Sequence, residues 1–345
     1  MKGTRFVPRF SALPLVALIM TAATAPAAFA HDDHHDLAAD ASPQQRCEAI
    51  GRSVAEAGFD DSVTVTCTDG HAIISSDTYP DHELMTGIVG TNEQVPVPAF
   101  YAAPVLLEPS LGTTPLTRDA ALGVAVNGVP IYDYTGGGEM SQADLAHYQA
   151  HHDTLQTRQL DVCGGHAGRG DDYHYHVKPT CMVAQMANAG DDAVLGWAFD
   201  GFPIYGDNNP DGSPIPDGAL DVCNGQPDAE FGYRYHTSAD APYIVQCLMG
   251  VVTDFDRLPR VPPLTATDGR GAAPGRPPQG GVENLVFTEN PDGSRGSLYP
   301  LHPVRHARLL RFHDAHGDQW RRGSERGILP DFALMWKWWL RHVIA

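Results

Sequence analysis

The sequence predicts a mostly β domain with one or two short helices, duplicated internally and stapled by disulfide bonds into a single unit. Three observations point to this class. Short strand-like runs alternate with turn dipeptides, two segments repeat the same motifs in the same order, and six cysteines follow a leader of the exported type. The 345 residues are enough for one such domain with a sizeable core.

The first 30 residues have the pattern of a secretory signal. Three basic residues precede an apolar run at Leu13–Met20, and Ala28-Phe29-Ala30 fits the small-residue cleavage pattern. The run is too short to cross a bilayer as a mature helix, and no later segment is long and apolar enough to do so. We therefore expect export to the periplasm or the medium, with cleavage near Ala30 and no transmembrane span.

Composition divides the rest of the chain. We expect residues 31–43 to be a disordered arm rich in His and Asp, because they hold almost no large apolar side chain. The domain itself is predicted at 44–262, followed by a Pro- and Gly-rich linker at 263–300. Residues 301–345 form a basic, aromatic tail with two interpretations, an interfacial or partner-binding helix or a segment without an evolved fold.

The predicted domain begins with a helix and a hairpin. Gln44–Ala57 is predicted to be a short helix that carries Cys47. Val63–Cys67 and Ala72–Ser76 are short β-type runs, separated by the turn dipeptide Asp69-Gly70. We expect these two runs to pair as a β-hairpin.

Two repeats are predicted at residues 122–181 and 195–247, the first repeat and the second repeat. LGVAVNGVPIY at Leu122–Tyr132 returns as LGWAFDGFPIY at Leu195–Tyr205, with seven of 11 positions identical. Each block predicts a hairpin around Asn-Gly or Asp-Gly, which favour a type I′ turn, with the following proline at a strand edge. The motifs Leu-Asp-Val-Cys and Tyr-x-Tyr-His then return 60 residues later.

The repeats differ after their hairpins. Between Ser141 and Leu160 the pattern predicts a helix with Ser141 as its N-cap. The second repeat has a loop instead, Asp207–Gly218, which opens like a calcium loop but has Gly218 where a glutamate is expected. We therefore interpret it as an ordinary loop and do not expect calcium binding.

An even number of cysteines in an exported protein predicts disulfide bonds, although six thiols allow 15 pairings. The repeats favour the simplest set, because Cys163 and Cys223 are equivalent and a later cysteine follows each Tyr-x-Tyr-His segment. The alternative is that some cysteines are free or bind metal, but no Cys-x-x-Cys pair supports a thiolate site. The predicted pairs are Cys47–Cys67, Cys163–Cys181 and Cys223–Cys247.

The chain is acidic, with a formal net charge of −19. Such a surface repels nucleic acids and anionic membranes and attracts cations. We therefore expect no nucleic-acid partner. The identity of a protein or small-molecule partner stays open.

The most informative motif is Tyr173-His174-Tyr175-His176. Alternate residues of a strand share a face, so both histidines would project to one side and form a bidentate pair for zinc or copper. His166 lies across the preceding turn and would add a third nitrogen, leaving a position open as in catalytic metal sites. The alternative is that these histidines are hydrogen-bonded in a packed interior and bind no metal.

The second repeat has Arg234 in place of His174 and keeps His236. Arginine does not ligate metal, so at most one repeat carries the His-x-His pair, and Arg234 is expected to pair with a carboxylate or bind an anion. His236 would join the first cluster only if the two repeats face each other.

Three segments together resemble the YHYH-domain proteins: the Tyr-His-Tyr-His motif, the DGFPIYG block at Asp200–Gly206, and the run Cys163–His166. Tyr79–His82 is similar to that family's Pro-Asp-His segment. The resemblance covers roughly Val63–Gly250 and implies an exported or surface-associated domain. It implies importance for His82 beside the other histidines, and it implies no reaction.

The sequence therefore predicts an exported metal-binding protein for zinc or copper. The alternative is a disulfide-braced binding or structural module of the cell exterior that holds no metal. Whether the protein is an enzyme stays open, because the motifs of serine hydrolases, P-loop proteins, dinucleotide-binding proteins and zinc peptidases are missing. The candidate ligands are His166, His174 and His176, with His82 and His236 as further members.

Overall fold

A computed structural model describes residues 41–90, 96, 98–138, 140–167, 172–260, 286–289, 295–298, 309–314 and 317–322. The predicted signal and most of the predicted arm lie outside these residues. The predicted fold class is confirmed, since the described part is mostly β, with two α-helices and three disulfides. Neither of these helices has the length and apolar character that a membrane span requires.

The first helix, α1, covers Pro43–Glu56, close to the predicted range. Ser42 and Gln45 form a reciprocal capping box, in which the Gln45 side chain accepts a hydrogen bond of 2.9 Å from the Ser42 amide. Ile50 and Val54 on the inner face are buried in the core. Capping and burial of one apolar face together explain why this short segment is helical.

The strands are short, and a second helix follows the Tyr-His-Tyr-His motif. The elements after α1 are β1 (Thr64–Cys67), β2 (His71–Ser76), β3 (Tyr101–Leu106), β4 (Leu111–Leu116), β5 (Gly123–Ala125), β6 (Pro130–Ile131), β7 (Gly165–Ala167), β8 (Tyr173–Tyr175), α2 (Thr180–Gln185), β9 (Gly196–Ala198), β10 (Pro203–Tyr205), β11 (Gly225–Asp228), β12 (Gly232–His236), β13 (Leu248–Gly250), β14 (Val286–Glu289), β15 (Arg295–Leu298), β16 (Leu309–Asp314) and β17 (Gly317–Arg322).

The predicted hairpin at the start of the domain is confirmed. Strands β1 and β2 pair antiparallel around Asp69-Gly70, and β3 adds to β2, giving a three-stranded sheet. A separate two-stranded ladder joins β4 to β13. The Cys47–Cys67 disulfide ties α1 to the end of β1.

The central sheet has eight strands within the described residues, in the order β11-β12-β10-β9-β5-β6-β8-β7. The two repeats contribute four strands each. Counted inward from its own edge of the sheet, the first repeat has the order β7-β8-β6-β5, and the second repeat has the equivalent order β11-β12-β10-β9. The repeats meet at the antiparallel pair β5 and β9, where Val124 lies opposite Trp197. In each repeat a parallel pair, β6 with β8 or β10 with β12, attaches the Tyr-x-Tyr strand to the hairpin.

The hairpins form as predicted, but the prediction of a type I′ turn is wrong. Gly128 has a positive φ of 80° and Asn127 does not. Gly128 donates its amide to the Ala125 carbonyl at 2.8 Å, and Ala125 donates to Val129 at 2.9 Å. This is a three-residue loop ending in a glycine bulge, which needs only one left-handed residue and therefore only the glycine. The second repeat makes the same two hydrogen bonds around Gly201.

The prediction of a helix between Ser141 and Leu160 is also wrong. Only a single 3-10 turn forms there, at Asp144–Ala146. The Ser141 amide donates to the Asp144 carboxylate at 2.9 Å, so the capping contact exists without a helix behind it. The later part of this segment pairs instead with the residues after β6, where the Thr154 amide donates to the carbonyl of Tyr134.

All three predicted disulfides are present, and no cysteine is free. Cys163–Cys181 joins the turn before β7 to α2, and Cys223–Cys247 makes the equivalent link in the second repeat. Both repeats also place their paired tyrosines in the core. The largest fully buried side chains include Tyr173, Tyr175 and Tyr235.

Strands β14 to β17 form a four-stranded antiparallel sheet in sequence order. They fall within the segments predicted as linker and tail. The predicted domain boundaries at residues 262 and 300 stay predictions.

Candidate metal centre

Strands β7 and β8 bring two of the predicted histidines together. The strands pair antiparallel with His166 directly opposite His174, and His176 follows immediately after β8. Because residues two apart on a strand share a face, His174 and His176 project to the same side, as predicted. Tyr173 and Tyr175 project to the other side, into the core.

The three imidazoles converge through their Nε2 atoms. The distance between the Nε2 atoms of His174 and His176 is 3.0 Å, and that between His176 and His166 is 3.1 Å. One ligand atom from each ring lies within 4.8 Å of the others. The three residues are only 2–5% exposed, so the cluster lies beneath the surface.

The opposite nitrogen of each ring faces a backbone carbonyl. His166 Nδ1 lies 3.0 Å from the Gln159 oxygen, His174 Nδ1 lies 3.1 Å from the Asp172 oxygen, and His176 Nδ1 contacts the Asp133 oxygen. A carbonyl only accepts hydrogen bonds, so each Nδ1 carries the proton. A neutral ring with its proton on Nδ1 directs its Nε2 lone pair at its neighbours, an arrangement typical of metal-ligating histidines.

Burial keeps at least two of the rings neutral. It lowers the pKa of His166 to about 3, and the electrostatic interaction with His174 acts in the same direction. It also lowers the pKa of His176 well below the usual value, and His166 and His174 add to this effect. Neutral imidazole is the form that binds a metal ion, so these two rings are available as ligands.

The spacing suits a small transition-metal ion. Metal–nitrogen bonds of about 2.0–2.1 Å in a tetrahedral site place the ligand nitrogens about 3.3 Å apart. The observed distances of 3.0 and 3.1 Å are close to that value. Imidazole suits both zinc and copper, so the donor set agrees with the two metals that the sequence predicts.

A tyrosine that sequence analysis missed supports the cluster. Tyr132 stacks on His174 with 4.0 Å between ring centroids, and it makes an edge-to-face contact with His176. The Tyr132 hydroxyl donates to the Asp172 carboxylate at 3.3 Å, and that carboxylate lies 3.5 Å from His174 Nδ1. Tyr132 is the last residue of the repeated hairpin block, and its recurrence at the end of both blocks is the sequence feature that could have indicated its role.

The tyrosine face fixes the strand that carries the histidines. Tyr173 donates its hydroxyl to the Asp161 carboxylate at 2.8 Å. Asp161 also accepts the amides of Cys163 and Gly165, so one carboxylate ties the turn to β8. The position of the ligand strand is therefore determined from both faces.

The structure does not bring His82 to the cluster. Its Nδ1 donates to the Glu83 carbonyl at 3.0 Å, and its Nε2 accepts the Tyr175 hydroxyl at 2.8 Å. Burial lowers the pKa of His82, which favours the neutral acceptor. The sulfurs of Cys163 and Cys181 lie nearby, but their disulfide leaves no thiolate for a metal. His82 instead supports Tyr175 from behind the ligand strand.

The structure does not bring His236 to the cluster either. It lies on β12 in the second repeat, and its Nδ1 faces the Gly206 carbonyl at 2.8 Å. Its Nε2 accepts hydrogen bonds from Arg234 Nε at 2.9 Å and Gln226 Nε2 at 3.0 Å. Burial lowers the pKa of His236 to about 4. The repeats lie side by side in one sheet, so each keeps its own set of side chains.

Two side chains at the start of the Asp207–Gly218 loop are bonded to protein donors. The Asp207 carboxylate pairs with the Lys178 ammonium at 2.8 Å and accepts the Thr237 hydroxyl. Asn209 Oδ1 accepts from Gln226 at 2.8 Å and from Arg234 at 2.7 Å. The loop therefore serves as a brace for the second repeat.

Comparison with known proteins identifies one family. The model of the family described as YHYH protein matches residues 101–215, which contain β7, β8 and the three converging histidines. No curated protein matches the chain, and no solved structure matches it. The resemblance drawn from the sequence motifs is confirmed, because residues 101–215 match the model of that family.

Proposed function

We propose that this YHYH-domain protein is exported and binds one transition-metal ion, zinc or copper, through His166, His174 and His176. The observation that carries the proposal is the convergence of the three Nε2 atoms. They meet at 3.0 and 3.1 Å while every Nδ1 proton is directed to a carbonyl. A cation between them replaces mutual repulsion with three coordinate bonds.

Export is supported by the leader pattern and by the disulfides. Six of six cysteines are paired, which is typical of proteins that fold outside the reducing cytosol. The net charge of −19 favours the approach of cations.

The donor set limits what the ion can do. Three protein nitrogens leave a fourth position for water or an outside ligand, as in catalytic zinc sites. The three histidines are only 2–5% exposed, which is typical of sites where an ion stabilises the fold. The proposal therefore assigns metal binding and no reaction.

Metal analysis of the exported protein, purified without a His-tag, tests the proposal. We expect one zinc or copper ion per chain after dialysis against free metal. The variant His174→Ala with His176→Ala should lose it. His152→Ala, which removes an exposed histidine outside the cluster, is the control and should keep the ion.

A chain without stoichiometric metal would contradict the proposal. So would a double variant that keeps its ion. If the double substitution only lowers the melting temperature of a metal-free protein, the alternative of a disulfide-braced exterior module without metal is supported instead.

A further inference from the structure

The second repeat contains a counterpart of the metal centre at every ligand position. Gln226, Arg234 and His236 lie 60 residues after His166, His174 and His176. The register agrees as well: Gln226 pairs with Arg234 across β11 and β12, as His166 pairs with His174 across β7 and β8. The three side chains again meet on one face of a strand pair.

The supports of this counterpart are equivalent too. Tyr233 donates to Asp221 at 2.7 Å, as Tyr173 donates to Asp161 at 2.8 Å. Asp221 accepts the amides of Cys223 and Gly225. The histidine that both repeats keep donates its Nδ1 proton to the carbonyl that follows the last tyrosine of the hairpin block, Asp133 in one repeat and Gly206 in the other.

The two repeats differ in the groups that surround Nε2 of this shared histidine. In the first repeat His176 Nε2 faces two other imidazole nitrogens. In the second repeat His236 Nε2 accepts from Arg234 Nε at 2.9 Å and from Gln226 Nε2 at 3.0 Å. The guanidinium also donates to Asn209 at 2.7 Å and pairs with the Asp228 carboxylate. Positive charge is thus supplied here by a side chain.

We infer that the second repeat is a metal site closed by its own arginine, whose guanidinium takes the place that the ion takes in the first repeat. This inference rests on the proposed function. Arginine stays charged under all physiological conditions, and the Asp228 and Asn209 contacts hold its head group in place. The protein therefore binds one ion per chain, and the second repeat stays metal-free and fully braced.

A gain-of-function variant tests the inference. Replacing Gln226→His and Arg234→His together restores three imidazoles in the second repeat. We expect the metal content to rise from one ion to two per chain, measured on the exported full chain with zinc. The single variant Gln226→His keeps the arginine and should still hold one ion.

The outcomes separate the two claims. If the wild-type chain holds no ion, the proposed function fails. If the wild-type chain holds one ion and the folded double variant also holds one, the inference fails while the proposed function stands. Folding is checked by circular dichroism and by the three intact disulfides.

If the double variant does not fold, hydrogen exchange of the wild-type chain decides. Adding zinc to the metal-free protein should slow amide exchange in β7 and β8 and leave β11 and β12 unchanged. An equal slowing in both strand pairs would overturn the inference, because it would require a second ion or a shared one.

Discussion

Tyr132 stacks on His174 with 4.0 Å between the ring centroids and 20° between the ring planes. Its hydroxyl reaches the Asp172 carboxylate, which lies 3.5 Å from His174 Nδ1. One side chain therefore packs on the face of a candidate ligand and also positions the group beside that ligand's outer nitrogen. Such neighbours of the ligands set ring orientation, and metal affinity depends on it.

Replacing Tyr132→Ala should weaken zinc binding by about 10- to 100-fold, because His174 loses the ring that holds its plane. Tyr132→Phe keeps the stacking and should bind within a few-fold of the wild type. Competition against a chromophoric chelator measures both affinities. An unchanged affinity in the alanine variant would show that the stack does not orient the ligand.

Gly165→Ala should destabilise the protein and displace His166. A Cβ at Gly165 would lie 2.6 Å from the His174 carbonyl oxygen and 2.7 Å from the ring of Tyr173. We expect a loss of about 1–3 kcal/mol in the free energy of unfolding, together with weaker zinc binding.

Gly225→Ala is the matched control for that variant, since its Cβ would meet the Tyr233 ring in the same way. It should lower stability and leave zinc affinity unchanged. Urea unfolding of the metal-free proteins and a metal titration check both variants. Equal affinities in the two would count against the placement of the ion in the first repeat.

Asp200 gives the fold a pH dependence. Burial raises the pKa of this carboxyl from 3.8 to about 6. Because the folded pKa is above the unfolded one, the group stabilises the fold at acidic pH, and this contribution is lost as the pH rises through 6. At neutral pH the buried carboxylate is charged and disfavours folding.

The variant Asp200→Asn should remove this pH dependence. The first repeat already has asparagine at the equivalent position, Asn127. Between pH 4 and pH 7 the unfolding free energy of the variant should fall less than that of the wild type, by up to about 3 kcal/mol. Urea unfolding of metal-free protein across this pH range provides the measurement, and parallel curves for the two proteins would refute the assignment.

The two equivalent disulfides should separate stability from metal binding. Removing Cys163–Cys181 or Cys223–Cys247 by double alanine substitution should cost about 3 kcal/mol of stability, because each closes a loop of similar length. Only the first pair adjoins β7, so only its removal should also lower zinc affinity. Differential scanning calorimetry and metal titration of both variants test this, and equal affinity losses would contradict it.

The elements that sequence predicted correctly depend on local patterns. The hairpin at Asp69-Gly70, helix α1 and the shared face of His174 and His176 each follow from neighbouring residues. The disulfides followed from the order of motifs in two repeats. Sequence failed at Ser141–Leu160, where the backbone pairs with a distant segment that no local pattern reveals.

The candidate site was predictable only in part, for the same reason. His166, His174 and His176 are close in sequence, and one hairpin brings them together. The carbonyl of Asp133 that fixes the tautomer of His176 is 43 residues away, and its role requires the parallel pairing of β6 and β8. His82 and His236 share the residue type of the ligands, but their strands and loops direct them to a tyrosine and an arginine.

The strand order has a consequence for how the protein can change. Strands β8 and β12 are five steps apart in the central sheet, which corresponds to about 24 Å at the usual strand spacing. At that separation substitutions contribute to stability additively. We therefore expect that each repeat can exchange imidazole for guanidinium without disturbing the other, so that the two clusters of side chains can change independently.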